Sequence, residues 1–460
     1  MLNCSIKSVF FFVTFITTLS CVSKQIVAKE NTQFEIKSQM TVTNIMELDS
    51  RYIIYPSAFI KTIGKGKIII KEPITIIGRN QVFSEDINIE YKPFTISEIY
   101  PEWFGAKGYD QLDDTKAFQK AFSIAKALQN SINVMVSIGN FYISNTLELE
   151  NIPNFNKSIN LLGTSMSAST GHGSSLVWNG AKGGTLLKVS YVSLSKIENL
   201  DFSANQNNGL MYNIDFKPIT YQITIRNCSF TGCEGKGSTN ISLNIGDGVQ
   251  VSEITVENCV FRSKTLDGKI WMTDAAIGGG RDNALNFYIK GSSFMGYQNA
   301  AINIHNSSTM VVENSNFAHN DLDIKCLLCG LYASSNSSEH SNAFFQATSS
   351  SNFSSAFLIN NYFTGDTKDG YVIRDGAGSL FLVNNNFGGS GYKDKEYKIK
   401  WEDRALNPIF SFGNFYNNVG INLSPFYNRS NQLRKNEINS QGDVGGKNNS
   451  EINIPIKVEK

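Results

Sequence analysis

Short segments in which apolar and polar residues alternate recur through the middle of the chain, and each ends on a Phe. A β-branched residue, a charged residue, Asn, two variable positions and Phe stand at Ile225–Phe230, Val256–Phe261 and Val312–Phe317, while Ile197–Phe202 and Ile289–Phe294 are close variants. Alternation with a period of two predicts strands with one buried face. A repeat of about 23–33 residues, rich in Asn, Gly and β-branched residues, is typical of a β-solenoid. The pattern therefore predicts an all-β fold, a single-stranded parallel β-helix.

The same repeat predicts how neighbouring coils contact each other. The Phe residues are expected to form an internal aromatic column. Each Asn that lies three residues before a Phe is expected to stack its amide on the Asn of the next coil. The charges on the outer face alternate in sign along Glu198, Arg226, Glu257, Lys290 and Glu313. Opposite charges on neighbouring strands contribute roughly 0.2–1 kcal/mol each, so this row is interpreted as structural.

The pattern leaves the number of coils in the second half open. Looser copies of the motif end at Phe363 and Phe387, and a further copy is expected to end at Phe415. The interval from Phe317 to Phe363 is longer than the other repeats. It fits either two short coils or one coil with a long loop through the serines at 334–355, and the sequence leaves both open.

The regions that flank the repeats differ from them in composition. Residues 29–98 carry runs such as Lys67–Ile70 and Ile74–Ile77 between Gly and Pro. They are interpreted as an N-terminal β-rich module or as extra coils, and extra coils are favoured. Residues 99–427 are predicted to form the β-helix domain. Residues 428–460 are polar and are predicted to form a mobile tail.

The first 28 residues have the pattern of a secretory signal peptide. Lys7 precedes the apolar run Val9–Ile16, and small residues follow. The run is shorter than the ~20 apolar residues of a membrane-spanning helix, and no later run is long enough. Cys21 raises the alternative of a lipoprotein, but Leu19 stands one place away from its usual position in a lipobox. The prediction is a cleaved product that is secreted, periplasmic or at the cell surface.

Composition narrows the classes of function further. The chain has 41 Lys and Arg against 40 Asp and Glu, a net charge of +1, which argues against bulk attraction to nucleic acid or anionic lipid. Its four His residues are scattered without the spacing of metal ligands, so no metal site is predicted. Cys326 and Cys329 form a C-x-x-C pair, but no βαβ pattern surrounds it. Buried or turn thiols are therefore favoured over a redox motif or a disulfide framework.

A motif ahead of the repeats resembles a known family. Trp103–Phe122 reads W-F-G-A-K-G-Y-D-Q-L-D-D-T-K-A-F-Q-K-A-F. It resembles the motif that leads into the β-helix in the pectate lyase superfamily, in its rhamnogalacturonase/epimerase-like branch. The resemblance covers about residues 99–425 and implies a right-handed pectate lyase-like solenoid whose open end is capped by a helix. Asp113 or Asp114 is expected to cap that helix. The reaction stays open, because a fold does not determine chemistry.

The strands that follow each Phe turn carry a less regular set of polar residues, and the site is expected there. Hydrolysis of a glycan needs two carboxyls. Elimination or epimerisation needs a base together with a cation or metal that neutralises a uronate carboxylate. The candidate catalytic residues, each assigned to an outward position or an adjoining turn, are Asp323, His305, Asp282, Lys325 and Arg374. The candidate substrate-binding residues, with Trp271 as a platform for a sugar ring, are Trp271, Asn303, Asp247, Asp274 and Arg281.

Several of these residues also have a purely structural interpretation. Asp247 stands between two glycines and suits a simple turn. Asp274, Arg281 and Asp282 flank a triple glycine and suit a loop ion pair. Asp323 and Lys325 alternate, as on a solvated strand face.

Two hypotheses about function follow from different classes. The first is an exported enzyme that hydrolyses, eliminates or epimerises an acidic or surface polysaccharide. The second is a non-catalytic β-helix that binds glycans or serves in surface adhesion. Gly171–Gly173 matches the Gly-His-Gly of polygalacturonases, but the Asn-Thr-Asp, Asp-Asp and Arg-Ile-Lys motifs of that family are missing. No cofactor is assigned, a Ca²⁺ requirement stays open, and an oligomer is compatible with the trimers of some relatives.

Overall fold

The computed structural model describes most of the chain between residues 33 and 451. The described ranges are 33–153, 157–166, 173–205, 207–217, 219–243, 251–266, 270–279, 284–305, 307–326, 328–347, 355–364, 371–375, 379–387, 398–399, 409–416, 438–441, 444–445 and 450–451. Within them the chain forms stacked coils of parallel strands. The predicted fold class is confirmed: a right-handed parallel β-helix with an α-helix ahead of its long coils.

The N-terminal region is a stack of short coils. Its strands are β1 (Phe34–Ile36), β2 (Gln39–Val42), β3 (Ile45–Leu48), β4 (Tyr52–Ile54), β5 (Phe59–Thr62), β6 (Lys67–Ile70), β7 (Thr75–Ile76) and β8 (Ile89–Tyr91). They pair in parallel as β1-β4-β7, β2-β5 and β3-β6-β8. Leu48, Ile54 and Ile70 are fully buried at the strand ends and belong to the same core as the rest of the molecule. These short sheets are separate from the longer sheets that follow.

The main body contains the remaining strands. They are β9 (Glu98–Ile99), β10 (Ile132–Val136), β11 (Gly139–Ile143), β12 (Leu147–Glu150), β13 (Ile159–Gly163), β14 (Ser174–Trp178), β15 (Thr185–Ser190), β16 (Ser193–Glu198), β17 (Asp201–Ala204), β18 (Tyr212–Phe216), β19 (Thr220–Arg226), β20 (Ser229–Phe230), β21 (Gly235–Leu243), β22 (Val251–Glu257), β23 (Val260–Arg262), β24 (Thr265–Leu266), β25 (Ile270–Trp271), β26 (Thr273–Gly279), β27 (Ala284–Lys290), β28 (Ser293–Met295), β29 (Ala300–Ile304), β30 (Ser307–Glu313), β31 (Asn316–Ala318), β32 (Ile324–Cys326), β33 (Cys329–Ser334), β34 (Ser337–Glu339), β35 (Phe345–Gln346), β36 (Ser355–Ile359), β37 (Tyr362–Thr364), β38 (Tyr371–Asp375), β39 (Ser379–Val383), β40 (Asn386–Phe387), β41 (Lys398–Ile399), β42 (Ile409–Phe412), β43 (Phe415–Tyr416), β44 (Ile438–Gln441), β45 (Val444–Gly445) and β46 (Ser450–Glu451).

Most of these strands belong to three long sheets, which each coil visits in turn. Sheet 1 contains β9, β10, β13, β16, β19, β22, β27, β30, β33, β36, β39, β42 and β44. Sheet 2 contains β11, β14, β17, β20, β23, β28, β31, β34, β37, β40, β43, β45 and β46. Sheet 3 contains β12, β15, β18, β21, β26, β29, β32, β35, β38 and β41. The short strands β24 and β25 form an antiparallel hairpin beside the stack.

The motif at 103–122 forms the approach to the first long coil. A 3₁₀ turn at Pro101–Phe104 precedes helix α1 (Thr115–Ala127), which contacts β10 and β12. Asp114 occupies the N-cap position of the helix but makes no side-chain cap hydrogen bond. Asp113, one residue earlier, accepts a hydrogen bond at its Oδ1 from the Thr115 backbone N–H at 3.1 Å. Asp114 instead accepts from the Lys107 and Tyr142 backbone N–H groups at 2.7 and 3.1 Å. The two aspartates therefore have separate tasks, since Asp113 satisfies the first backbone N–H of the helix and Asp114 ties the approach loop to β11.

The predicted aromatic column fills the interior of the central coils. Ring centroids in the column are 4.8–5.0 Å apart along Phe202, Phe230, Phe261, Phe294 and Phe317. These rings are nearly parallel and almost fully buried. The spacing matches the ~4.8 Å between neighbouring strands, because each coil contributes one ring at the same register.

The column ends where the repeat becomes irregular. Ser338 pairs with Phe317 on one side and with Phe363 on the other. The interval between those two Phe residues therefore contains two short coils, and Ser338 occupies the Phe position of the extra one. At the far end Tyr416 pairs with Phe387, so the expected final position at Phe415 is wrong by one residue.

The Asn residues of the motif are expected to stack their amides from coil to coil, but what several of them share is a left-handed backbone conformation. Asn199 and Asn227 adopt φ values of 59° and 51°, in the left-handed region that Asn tolerates better than most residues. Their amides do stack, since Asn227 Nδ2 donates to Asn199 Oδ1 at 3.2 Å. The continuous ladder instead uses the next position along the chain. In this ladder, the backbone N–H of each Asn donates to the side-chain Oδ1 of the Asn in the next coil, at 2.9–3.1 Å. Its members are Asn336, Asn361, Asn385 and Asn414.

The outer charges of sheet 1 align as the alternation predicts. Arg226 Nη2 lies 2.9 Å from Glu198 Oε1, and Lys290 Nζ lies 3.9 Å from Glu313 Oε2. Glu257 is in register between Arg226 and Lys290. Exposed pairs of this kind contribute up to about 1 kcal/mol each, so they favour register more than stability.

The cysteines divide into two groups. Cys228, Cys233 and Cys259 are buried free thiols, as expected. Cys326 and Cys329 form a disulfide, so the prediction of thiols at these two positions is wrong. The turn between β32 and β33 brings their Cα atoms to 5.8 Å, inside the range that a disulfide spans. Among the helices of the described part of the chain, none is long and apolar enough to cross a membrane.

Candidate functional site

A line of acidic and amide side chains runs along four consecutive coils at the start of sheet 3. A buried apolar residue follows each of them three positions later in the chain. These apolar residues pair in register from coil to coil. The line, called here the Asp/Asn row, consists of Asp274, Asn299, Asp321 and Asn342. Asn299 Nδ2 donates to Asp274 Oδ2 at 3.4 Å, and Asn342 Nδ2 donates to Asp321 Oδ1 at 3.0 Å. All four side chains are half-buried, so the row is open to solvent.

Arg374 reaches this row from β38. Its Nη1 lies 2.7 Å from Asp321 Oδ2, and its Nη2 donates to Asp321 Oδ1 at 3.1 Å. A bidentate pair of this type fixes the orientation of both groups. Desolvation of Asp321 would raise its pKa, but hydrogen bonds from Arg374 and Asn342 outweigh it and hold the pKa below its usual range. Asp321 is therefore a carboxylate at neutral pH.

A second outward position of sheet 3 carries two further candidates. Asn303 and Lys325 are paired in register on β29 and β32. Both are half-buried, and the Oδ1 of Asn303 is a buried acceptor without a hydrogen-bond partner in the described part of the chain. His305 follows β29 two residues beyond Asn303 and is half-buried as well. Lys325 also helps to lower the pKa of Asp321, so its charge acts on the Asp/Asn row.

Asp323 does not occupy the outward position that the alternation predicts. It is 0% exposed, and Ser338 and Asn320 donate to its two carboxylate oxygens, Asn320 at 2.9 Å. Burial raises its pKa to about 7, against the lowering effect of the hydrogen bonds from Ser338, Ser341 and Asn320. The prediction fails because Asp323 stands just before β32, where the chain turns a corner and successive side chains both point inward.

Trp271 lies in the short hairpin formed by β24 and β25 and is half-buried. Its ring covers Gly296, where a Cβ atom would approach the ring to 2.3 Å. The ring centroid is 6.3 Å from that of His319, which stacks at 5.0 Å on His340. Trp271 therefore forms part of an aromatic line on the turns between sheets 2 and 3.

Three predicted site residues lie outside the described residues, namely Asp247, Arg281 and Asp282. Of the rest, Arg374 and Lys325 lie beside Asp321, and Asp274 lies in the same row two coils away. Asp321 itself, with Asn299 and Asn342, was missed by the sequence reasoning. Each residue of the row stands three positions before a buried apolar residue of sheet 3. Aligning the coils on those apolar residues, instead of on the Phe motif, would have revealed the row. No group of three or more His, Cys, Asp or Glu suited to a metal occurs among the described residues.

Comparison with known proteins gives structural similarity without close sequence relatives. No protein-family model matches the chain. No curated protein matches it either. Three solved structures that match are the Dettilon tailspike protein, the surface adhesin PfbA of Streptococcus pneumoniae and an alginate lyase from a Paenibacillus species.

The matches are distant. Identities to the tailspike, the adhesin and the lyase are 11%, 13% and 14%, with TM-scores of 0.40, 0.40 and 0.41. The matches cover 76%, 76% and 69% of this chain and 66%, 91% and 95% of the respective structures. The chain thus spans just under two thirds of the tailspike, and 60% of ORF18 of Geobacillus virus E2. Similarity at this level carries no information about activity.

Proposed function

We propose that this protein engages an acidic polysaccharide along the outer surface of sheet 3, and that the described residues there bind the polymer without hydrolysing it. The observation that carries the proposal is the Asp/Asn row with Lys325 and Arg374 beside it. Export by the predicted signal peptide would bring this surface into contact with extracellular glycans. A relation to the rhamnogalacturonase/epimerase-like branch is part of the same proposal.

The row suits a polymer because it repeats. Coils follow one another at ~4.8 Å, so a chain of sugars lying along the axis meets an equivalent hydrogen-bonding group at each coil. Carboxylate and amide oxygens accept from sugar hydroxyls, and Asn nitrogens donate to them. Lys325 and Arg374 supply the positive charge that a uronate carboxylate requires, with Arg374 fixed in place by Asp321.

Hydrolysis requires a carboxyl with particular properties, and neither Asp321 nor Asp323 has them. A glycosidase needs one accessible carboxyl that is protonated near neutral pH. Asp321 has a lowered pKa because Arg374 and Asn342 bind its ionised form. Asp323 has a raised pKa, but it is fully buried. This favours binding over hydrolysis at the described part of the surface.

A second candidate is elimination at a uronate. Asn303 and Lys325 are adjacent on neighbouring strands, and His305 comes directly after the strand that carries Asn303. A lyase combines a base of this kind with a cation at the substrate carboxylate. Asn303 Oδ1 is a buried acceptor without a hydrogen-bond partner among the described residues, and a ligand that donates to it would supply one.

The test is a panel of immobilised polygalacturonate, alginate and rhamnogalacturonan, with starch as the neutral control, with and without Ca²⁺. Retention, new reducing ends and the absorbance of unsaturated uronate are measured together. We expect retention on an acidic polymer without new reducing ends. Reducing ends with absorbance would establish elimination, and reducing ends alone would overturn the binding proposal.

Two variants localise the interaction. Arg374→Ala and Lys325→Ala are expected to weaken retention about tenfold, because each removes a charge beside the row. Lys188→Ala is the matched control, since Lys188 also lies on sheet 3 and pairs with Glu148 at 3.4 Å, several coils away from the row. Equal loss in all three variants would mean that bulk charge, and not this site, holds the polymer.

A further inference from the structure

A groove lies at the junction between the short N-terminal coils and the first long coil. Its volume is about 680 Å³, within the range of ligand sites in proteins, and it is lined from β7, from the segment after β8 and from the 3₁₀ turn. Its lining includes Arg79, Tyr91, Phe94, Glu98 and Tyr100. None of these residues belongs to the Asp/Asn row, so the groove is a separate feature of the molecule.

Phe94 is held in an unfavourable conformation at this groove. Its φ is 63°, in the left-handed region that a bulky residue rarely adopts, and its side chain is 78% exposed. Asn130 Oδ1 accepts from the Phe94 backbone N–H at 3.0 Å, and Asn130 Nδ2 donates to the Ile96 carbonyl at 2.9 Å. The hydrogen bonds of Asn130 thus stabilise the strained backbone at Phe94, and in this conformation the Phe94 ring is exposed to solvent. Strain of this kind is characteristic of functional positions.

Arg79 is fixed close to the same groove. Its guanidinium carbon lies 5.0 Å from the centroid of the Tyr100 ring, and its Nη1 donates to Ser137 Oγ at 3.0 Å. Tyr100 is held in turn, because its hydroxyl donates to Glu98 Oε2 at 3.0 Å. A guanidinium held by an aromatic face and a hydroxyl is preorganised, and its planar fork matches a carboxylate.

Tyr91 provides an independent indication of a ligand. Its side chain is 8% exposed, it lines the groove, and its hydroxyl has no hydrogen-bond partner among the described residues. Tyr91 also lines a neighbouring pocket of about 390 Å³. A buried hydroxyl without a partner is costly and calls for an explanation. The hydroxyl itself is shielded from solvent, so a ligand would complete its hydrogen bonding by shifting this wall of the groove.

We propose that this groove binds a short acidic saccharide. The exposed face of Phe94 suits the apolar C–H face of a sugar ring, because the negative aromatic face attracts those hydrogens. Arg79 suits the carboxylate of a uronic acid, and the Tyr91 hydroxyl suits a sugar hydroxyl. A purely apolar ligand would leave Arg79 and Tyr91 without a role. The proposal goes beyond the function proposed for sheet 3, since it assigns a second carbohydrate site at the N-terminal end of the long sheets, several coils before the Asp/Asn row.

The experiment is calorimetric titration of the purified protein with trigalacturonate, trimannuronate and, as the neutral probe, maltotriose. We expect an acidic trisaccharide to bind and maltotriose to bind at least tenfold more weakly. Absence of binding by both acidic probes would overturn the proposal. Equal binding of maltotriose would overturn the role given to Arg79.

Three variants keep the test separate from folding. Phe94→Gly removes the ring and relieves the left-handed strain, so it is expected to weaken binding at least tenfold without lowering the thermal midpoint. Arg79→Lys keeps the charge but loses the planar fork, and a similar loss of affinity is expected. Tyr91→Phe is expected to weaken binding severalfold while leaving the fold as stable or more stable.

Two controls distinguish this groove from other sites. Tyr109→Ala removes an aromatic ring that is 84% exposed but does not line the groove, and binding is expected to be unchanged. Arg374→Ala is expected to remove only trisaccharide binding that takes place on sheet 3, and to leave unchanged the part of the binding that Phe94→Gly removes. If Arg374→Ala abolishes trisaccharide binding and Phe94→Gly does not, the saccharide binds on sheet 3 and the groove proposal is wrong.

Discussion

Two adjacent stretches of the β-helix fill their interiors in opposite ways. From Phe202 to Phe317 the coils stack parallel rings at a regular spacing. One coil further on, Ser338 stands in the position of the ring and donates to the buried Asp323. The Phe344 ring packs edge-on against Phe317, with centroids 6.4 Å apart, and lies tilted 6.3 Å from Phe363. Asp323 is two residues from Asp321 along the chain, so the polar interior and the Asp/Asn row meet in the same coil. The regular coils therefore stabilise the fold, and the irregular one coincides with the candidate surface.

The regular stretch should show the largest loss on substitution. Phe261→Ala removes a fully buried ring from the centre of the column, and we expect a loss of about 3–5 kcal/mol in unfolding free energy, measured by denaturant titration. Ser338→Ala, at the equivalent position of the irregular coil, is the matched comparison. A cost for Phe261→Ala no larger than that of Ser338→Ala would show that the column is not the main source of stability.

The buried carboxyl should make the irregular stretch sensitive to pH. Asp323 has a folded-state pKa of about 7, above its unfolded value of about 3.9. The folded state then binds more protons between these values, so stability is highest at the acidic end of the window and falls as pH rises through it. We expect a fall on the order of 2–4 kcal/mol between pH 4 and pH 8 that Asp323→Asn removes. The test is the difference between the two proteins, because carboxylates such as Asp321 act with the opposite sign in both. A wild-type stability that does not fall relative to that of Asp323→Asn as pH rises would contradict the prediction.

The Asn ladder is a second polar part of the interior, and its side chains are hydrogen-bonded to one another and to the backbone. Asn361→Ala removes an amide that accepts from the Asn336 backbone and donates to the Ala333 carbonyl. Since it leaves buried partners without hydrogen bonds, a loss of about 1–3 kcal/mol is expected in thermal or chemical unfolding. Asn199→Ala, at a left-handed turn, serves as the comparison outside this ladder. An Asn361→Ala variant as stable as wild type would mean that the ladder is dispensable.

The surface pair above the buried carboxyl should have the smallest effect and the opposite sign. Asp321 has a lowered pKa in the folded state, so its contribution is present above pH 4 and is lost as pH falls through the folded-state value. Arg374→Ala is expected to cost about 0.5–1 kcal/mol at pH 7 and less at pH 3, measured by thermal unfolding. A loss that grows on acidification would show that Arg374 acts through packing rather than through Asp321.

The sequence by itself determined the class of fold. Period-2 alternation, the spaced Phe residues and the motif at 103–122 predict a parallel β-helix with a helix at its open end. They succeed because each coil repeats the same local demands, so one motif is visible many times along the chain. The charge row from Glu198 to Glu313 was readable for the same reason.

Tertiary structure alone decided the features that occur once. Asp323 is predicted to face outward by alternation, yet it turns inward because alternation holds within a strand and fails at a corner. Asp321 and Arg374 meet across a sequence separation of 53 residues, which only the stacking of coils can bring about. The N-terminal groove likewise joins Arg79 to Ser137 and Phe94 to Asn130. Such contacts depend on coil length and loop path, and no local pattern of residues encodes either.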